Sequence, residues 1–328
     1  MQEKKFSCFD LKSQFKPIKS QKNCIKCNKK AVIFLPYGPQ SFCEKHFLEL
    51  TERRVKKTIR QHSLIKRKEK LLVAVSGGKD STLALYLINK IFRKSNEVQA
   101  LMIDEGIQGY RDKALSIAKK NAEQWNIPYT IVSFKEEFGF TLTELMEKFV
   151  SKNPDLGSSC SFCGILRRRI MNSFARKIKA DKLITGHNLD DETQSILMNV
   201  FDNNLAKFLR LGPKSGITEL KEFVPRIKPL IELPEKEISA FLYFKGIKFY
   251  DAECCPFSSQ AKRNYFRSML NSFEEKFPGT KHSILRFYLQ LKEKIKFEIP
   301  KKINYCIYCN EITSSNVCNV CLKLNKLK

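Results

Sequence analysis

Lys70-Leu-Leu-Val-Ala-Val75-Ser76-Gly77-Gly78-Lys79-Asp80-Ser81-Thr82-Leu-Ala-Leu-Tyr-Leu87 is the stretch that decides the fold. Lys70 to Val75 is a short apolar run of β character, and Thr82 to Leu87 has helical character. Strand, glycine turn and helix N-terminus together offer backbone N–H groups and a positive dipole end to a phosphate. Gly77 and Gly78 permit close backbone approach, Ser76 and Ser81 add hydroxyls, and Asp80 is expected to cap the helix. The string lacks the spacing of the Walker loop, so it is a phosphate loop of a different kind.

Outward from this loop, strand and helix signals alternate. Val98 to Ile103 reads as a strand ending at Asp104-Glu105-Gly106, and Arg111 to Trp125 as a helix. Ile127 to Phe134 reads as a strand and Ile165 to Lys179 as a helix. Lys182 to Thr185 is a strand that runs into Gly186-His187-Asn188-Leu189-Asp190-Asp191-Glu192, with a helix following. This alternation predicts an α/β fold with a doubly wound parallel sheet, whose ligands lie beyond the carboxyl ends of the strands. The Ser76 loop, the strand end at Ile103 and the segment from Gly186 all occupy such ends. His187 by itself reads more readily as a core or capping residue. Asp190 and Asp191 also suit a helix start. Adjacent helical residues point about 100° apart, so one of the two is expected to face a nucleotide-bound metal ion.

The chain has 12 cysteines, and nine of them fall into three groups. Cys24-x2-Cys27-x15-Cys43-x2-His46 and Cys306-x2-Cys309-x8-Cys318-x2-Cys321 each supply four soft ligands in two paired knuckles. That pattern suits tetrahedral zinc in a closed, structural site. The middle group, Cys160-x2-Cys163, has no second knuckle nearby. Cys254-Cys255-Pro256 is the remaining source of a third thiol, and Cys8 is unassigned. Three thiolates on a four-iron cluster would leave one iron open to an outside ligand, whereas zinc and a redox dithiol are the competing readings.

Sixty Lys and Arg against 34 Asp and Glu give a formal charge of +26 over 328 residues. Residues 1–70 hold +13 of it and residues 281–328 a further +7. Such a surplus calls for a polyanionic partner, with nucleic acid first and an anionic membrane surface second. No uninterrupted apolar run approaches the roughly 20 residues that span a bilayer. Lys4, Lys5, Lys12 and Lys16 are followed by no apolar segment of the kind a secretory signal needs. A soluble cytoplasmic protein is therefore expected, with no membrane partner. The expected organisation is a basic arm at 1–20, a zinc module at 21–50, a basic linker helix at 51–69 and a catalytic domain at 70–250. A helical part at 251–300 and a second zinc module at 301–328 complete it. Arg53, Arg54, Lys56 and Lys57 are expected to line one side of the nucleic-acid path.

Ser76 to Ser81 resembles the PP-loop of ATP pyrophosphatases, of the adenine nucleotide alpha hydrolase-like class. Adding Cys160-Ser161-Phe162-Cys163-Gly164, Gly186 to Glu192, Cys255-Pro256-Phe257 and Phe277-Pro278-Gly279-Thr280-Lys281 narrows the likeness. The chain resembles the tRNA 2-thiolation enzymes of the TtcA/TtuA type, from about Cys24 to Cys321. The zinc modules match the TtuA-like branch and its relatives that act on the wobble uridine. The resemblance implies a [4Fe-4S] cluster held by Cys160, Cys163 and Cys255, with Cys254 the alternative to the third. It implies ATP, with Mg2+, held by Ser76, Gly77, Gly78, Lys79, Asp80, Ser81, the strand end at Ile103, and Gly186. The catalytic acid maps onto Asp191, with Asp190 beside it. Where related enzymes often carry Lys, this chain has Arg167, which keeps the charge but does not act as a base.

The expected reaction is adenylation of the C2 oxygen of a tRNA uridine, followed by its replacement with sulfur. The partners implied are tRNA, a ubiquitin-like sulfur carrier ending in a thiocarboxylate, and a second copy in a homodimer. Cytidine 2-thiolation, a non-tRNA adenylating synthetase and a non-catalytic zinc RNA-binding protein are the alternatives. With two zinc ions and a cluster on thiolates the charge falls to about +22, still strongly basic.

Overall fold

The computed structural model describes residues 23–147, 159–215, 223–251, 255–258, 262–295, 304–313 and 315–325. The basic arm at 1–20, Cys8 and Cys254 lie outside them. Strands β1 (Ile33–Leu35) and β2 (Gln40–Phe42) form an antiparallel hairpin, and α1 (Glu44–Gln61) follows at once. The helix expected from residue 51 thus begins at Glu44, with Cys43 in the N-cap position and His46 in its first turn. Phe47, Leu48, Thr51, Val55, Thr58 and Ile59 form its buried stripe at helical spacing.

The central sheet contains β3 (Lys70–Val75), β4 (Glu97–Asp104), β5 (Tyr129–Ser133), β6 (Lys182–Ile184), β7 (Lys214–Ser215) and β8 (Arg226–Ile227). Its order is β5-β4-β3-β6-β8-β7, parallel throughout except for β7 at the edge. The helices between are α2 (Lys79–Phe92), α3 (Arg111–Gln124), α4 (Phe134–Phe138), α5 (Leu142–Leu145), α6 (Ser159–Lys177), α7 (Leu189–Phe201) and α8 (Leu205–Leu209). Then come α9 (Glu235–Phe244), α10 (Arg263–Lys276) and α11 (Thr280–Lys294). A second hairpin, β9 (Asn304–Tyr305) with β10 (Ile312–Thr313), and α12 (Asn319–Asn325) close the described chain.

Side-chain alternation explains the layering. In β3, Leu71, Val73 and Val75 enter one core with Leu83 and Leu87 of α2 and Phe241 of α9. Leu72 enters the other core, with Leu101, Leu166, Ile170 and Leu183. Each fully buried Leu, Ile or Phe contributes about 1.5–3 kcal/mol, so both faces of the sheet must be covered. A third, smaller core of Leu189, Ile196, Phe208, Leu285 and Tyr288 seats α11 on α7. The strand order reverses between β3 and β6, whose connections run to opposite sides from there. That is where an open sheet of this kind binds a ligand.

Candidate active site

Ser76–Gly78 is the turn between β3 and α2. Gly77 has φ +85°, and a Cβ on it would lie 2.2 Å from the carbonyl oxygen of Ala114 on α3, so only glycine passes. The Ser76 N–H donates to Ser81 Oγ at 3.0 Å, the two hydroxyl oxygens are 3.0 Å apart, and Ser81 Oγ donates to Gly78 O at 3.0 Å. Gly78, rather than Asp80, holds the N-cap position, and no side chain caps the helix. The first-turn N–H groups therefore face the loop, as a phosphate requires. Asp80 instead accepts from Asn188 Nδ2 at 2.9 Å and lies 3.4 Å from Lys79 Nζ. Burial lifts its carboxyl to about 7, Lys79 pulls it back, and Asp191 and Glu235 push it further up. Lys79 itself is paired with Glu235 at 2.6 Å.

β6 brings up the opposite wall. A Cβ on Gly186 would sit 2.7 Å from the Asp80 carbonyl carbon and the Ser81 nitrogen, so the missing side chain lets the two strand exits touch. Asn188 then caps α7: its Oδ1 accepts from the Asp191 N–H at 2.9 Å, while Asp191 Oδ2 accepts from the Asn188 N–H at 3.3 Å. The neighbouring aspartates diverge. Asp190 is 5% exposed, ion-paired with Lys281 of α11, and accepts from the Glu235 N–H at 2.8 Å. Asp191 is the more open, and Arg263 Nη1 donates to its Oδ1 at 3.1 Å. His187 is held neutral by burial, with Lys228, Arg226, Arg263 and Arg167 opposing its protonation. Its Nδ1 is 2.8 Å from Thr185 Oγ1.

The strand end at Ile103 is reached through an arginine. Arg111, 4% exposed, donates from Nε to Ile103 O at 2.7 Å and from Nη1 to Ser76 O at 2.7 Å. It also lies 2.6 Å from Glu105. One guanidinium thus ties the phosphate loop to the neighbouring strand end. Sequence reading saw Arg111 as a helix start, because nothing local marks a side chain that folds back across the sheet edge. Arg263 gave no signal either, being 72 residues from its partner Asp191.

The middle cysteines sit in the first two turns of α6 itself, which starts six residues earlier than the sequence pattern suggests. At i and i+3 they share one helix face. The short turn Pro256–Ser258 packs against α6 and brings Cys255 into the same apolar cluster as Cys163. Cys160 Sγ approaches Phe257 O at 3.9 Å. Arg167, one turn beyond Cys163, lies beside both Cys163 and Cys255, with Nη1 3.7 Å from Glu105. Burial pushes the Cys163 thiol up to about 12; Arg167 opposes this, and Glu105 and the other two thiols add to it. Such a thiol ionises at neutral pH when a metal centre takes its sulfur.

The donor sets can be tested against the groups they are expected to hold. Tetrahedral zinc with bonds of about 2.3 Å to sulfur and 2.0 Å to nitrogen needs ligand atoms roughly 3.5–3.8 Å apart. In the first module Cys27 and Cys43 sulfurs are 3.7 Å apart, and His46 Nδ1 is 3.3 Å from Cys24 and 3.4 Å from Cys43. In the second, the Cys309 and Cys318 sulfurs are 3.6 Å apart. Backbone N–H groups point at Cys24 and Cys306; although burial opposes ionisation, these bonds bring both thiols down to about 6. Both sets fit zinc. Among the described residues these are the sets that bring such ligand atoms within 4.8 Å of one another. Cys160, Cys163 and Cys255 are more widely spread, which suits a multi-iron cluster better than a single ion.

Both modules are fastened to the catalytic core. Tyr37 of the first donates to Glu237 Oε1 at 2.5 Å and accepts from Arg54 at 2.7 Å, and Arg54 pairs with Glu237 at 2.6 Å. Arg54 is thus an internal fastening, in place of the nucleic-acid contact expected of it; Arg53, Lys56 and Lys57 remain exposed. The second module grips the cysteine helix: Glu311 is ion-paired with Arg169 and Arg176, and Lys323 Nζ lies 4.2 Å from the Phe162 ring centre. No helix among the described residues is long and apolar enough to cross a membrane.

Comparison with known proteins agrees with this geometry. Residues 48–273 match the model of the PP-loop domain, and residues 23–48 that of the N-terminal LIM domain of 2-thiouridine synthetase TtuA. The tRNA 2-thiolation protein NcsA of Haloferax volcanii is 34% identical over 93% of this chain and 99% of its own. The tRNA-5-methyluridine(54) 2-sulfurtransferase of Pyrococcus horikoshii is 36% identical over 91% of this chain and 92% of its own. The U34-tRNA thiolase NcsA from Methanococcus maripaludis, solved with its [4Fe-4S] cluster, superposes with a TM-score of 0.80. It is 32% identical over 94% of this chain and 97% of its own.

Proposed function

The chain belongs to the family of PP-loop tRNA 2-thiolation proteins, and from that membership we propose how its own residues act as an ATP-dependent tRNA 2-thiouridine synthase. One observation carries the reading: the phosphate loop, Asp191 and the Cys160–Cys163–Cys255 triad with Arg167 all lie at the carboxyl edge of one sheet, around its switch point. The C2 oxygen of a uridine is a poor leaving group and must be activated first. It attacks the α-phosphorus of ATP, the bond to the β-phosphate oxygen breaks, and pyrophosphate leaves. The N–H groups of the Ser76 loop and of the first turn of α2 take the phosphates, and Ser76 and Ser81 add hydroxyl contacts. Asp191, fixed by Asn188 and Arg263, positions the nucleotide or its Mg2+. Arg167 stabilises negative charge developing beside the cysteines and cannot serve as a base. A sulfur nucleophile then attacks C2, and AMP departs with the original oxygen. A [4Fe-4S] cluster on Cys160, Cys163 and Cys255 supplies, when bound, an iron open to that sulfur.

Within the same proposal, sulfur is delivered as the C-terminal thiocarboxylate of a ubiquitin-like carrier, and the enzyme works in the cytoplasm as a homodimer. tRNA phosphates meet the exposed basic residues of the zinc modules, including Lys29, Lys30, Lys45 and Lys245, which outnumber Glu44, Glu49 and Glu52 in the groove beside the first one. Affinity for tRNA should therefore fall steeply with salt. An affinity flat between low and moderate salt would remove this part of the account. Relatives acting at U34 and at U54 match the chain almost equally well. Nucleoside analysis of tRNA from a strain lacking the protein, mapped to position, reads the target directly. Unchanged 2-thiouridine at both positions would overturn the proposal.

A further inference from the structure

Three consecutive arginines on α6 point in three directions, and only two of them meet a carboxylate. Arg167 faces Glu105, and Arg169 is paired with Glu311 of the second zinc module. Arg168 folds back along its own helix, Nε donating to Gly164 O at 2.8 Å. Across from it, Arg226 stands on β8 beside Ile227. Ile227 enters one core and Val224 packs against the other, so alternation sends Arg226 to the α6 side of the sheet. Its Nη2 reaches Asn172 Oδ1 at 3.4 Å, and Asn172 is one turn beyond Arg168, on the same helix face. The Arg226 Nε is shielded from solvent and has no hydrogen-bond partner. Among the described residues neither Arg168 nor Arg226 has an acidic partner, whereas Arg167, Arg169, Arg176 and Arg263 all do.

A guanidinium turned inward beside another, with no anion between them, is unfavourable in the free protein. Burial and then Arg168 bring Arg226 down to about 10, in keeping with that crowding. Two planar forks, Arg168 five residues beyond Cys163 on α6 and Arg226 on the strand facing that helix, would bind the tetrahedral oxygens of a phosphate by several charge-assisted hydrogen bonds. We propose that Arg168 and Arg226 form an anion site that takes a backbone phosphodiester of the RNA substrate next to the nucleotide being modified. The site holds the strand so that the target base reaches the edge shared by the cysteines and the phosphate loop. This inference rests on the tRNA-thiolation reading and deepens it.

The test uses the metal-loaded full chain and unmodified tRNA. Arg168→Ala, Arg226→Lys and the double variant Arg168→Ala/Arg226→Ala are compared with wild type for tRNA binding over a salt series, for ATP binding and for iron content. For the double variant, tRNA dissociation constants should rise about fivefold to tenfold, and the slope of log affinity against log salt should become shallower by about 1. ATP affinity and iron content should stay at the wild-type level. Arg226→Lys keeps the charge and loses the fork, so it should restore the salt slope but only part of the affinity. Unchanged tRNA affinity and slope in the double variant would overturn the inference. So would weaker ATP binding with tRNA binding unchanged, since the phosphate would then belong to the nucleotide. Failure of wild type itself to bind tRNA would instead sink the functional reading on which this rests.

Discussion

The zinc sets at the two ends and the cysteine triad in the middle use the same ligand atom for opposite purposes. Each terminal set packs four ligands at the separations a single tetrahedral ion imposes, and leaves no coordination position open. The middle set has three thiols at wider spacing, an arginine and a buried glutamate for neighbours, and the phosphate loop at the same sheet edge. The terminal sites therefore act by holding shape. The first fastens α1 to α9 through Tyr37, Arg54 and Glu237, and the second clamps the helix that carries Cys160 and Cys163. The triad is where chemistry is expected. Ligand count and spacing, more than ligand identity, separate scaffold from reaction centre.

The sharpest way to break this contrast is to remove one ligand from each kind of site. Cys163→Ser should abolish thiolation and bring iron to background while both zinc ions remain; retained iron with full activity would contradict the assignment. Cys24→Ser should do the converse, lowering zinc by one ion per chain and leaving iron in place. Next in size is the fastening of the first module. Arg54→Ala leaves the buried Glu237 carboxylate without its cation, which should cost about 3–5 kcal/mol of stability by denaturant titration. A loss under about 1 kcal/mol would mean that the module is not held through this pair.

Asp190 and Asp191 sharpen the same contrast within two residues. Asp191→Ala should lower thiolation by about 100-fold or more with tRNA affinity near normal. Asp190→Ala should act chiefly on stability, because it strands Lys281 in a buried place. Equal catalytic losses with equal stability for the two would erase the distinction. The smallest effect concerns Asp80. Its folded carboxyl is raised to about 7, above the usual value near 4, so between those limits the folded chain holds more protons than the unfolded one. Stability from this group is therefore present at the acid end of that window and is lost as pH rises through 7. Asp80→Asn in the metal-loaded protein should flatten that dependence, a difference of a few degrees in Tm between pH 5.5 and pH 8, roughly. Identical slopes for the two proteins would show that Asp80 is not the group responsible.

Much of this was legible in the sequence because its cues are local. A strand, two glycines and a helix start placed the phosphate loop, and paired knuckles at fixed spacing placed both zinc sets. The doubly wound sheet followed from alternation, down to the strand ends that carry Ile103 and Gly186. What stayed hidden depends on contacts between distant segments. Asp80 suits a cap by position, but Asn188, 108 residues away, draws it across the switch point. Arg54 reads as one basic residue among several until Tyr37 and Glu237 close around it. Arg111, Arg263 and Arg226 gain their places only when strand order is known. The split between Asp190 and Asp191 was foreseen from the helical turn, but which of them faces inward was set by Lys281 and Glu235.

The central claim is that one chain couples ATP cleavage at its phosphate loop to sulfur insertion at its cysteine triad. The most direct measurement is a single-turnover assay of the anaerobically reconstituted protein with unmodified tRNA, ATP and a sulfide or thiocarboxylate donor. Mass spectrometry of the nucleosides is read together with AMP and pyrophosphate release. The account predicts one 2-thiouridine for each AMP and each pyrophosphate, no 2-thiouridine with Cys163→Ser in the presence of ATP, and none with the wild-type protein when ATP is withheld. 2-Thiouridine formed without ATP, or ATP cleaved to ADP and phosphate, would contradict it.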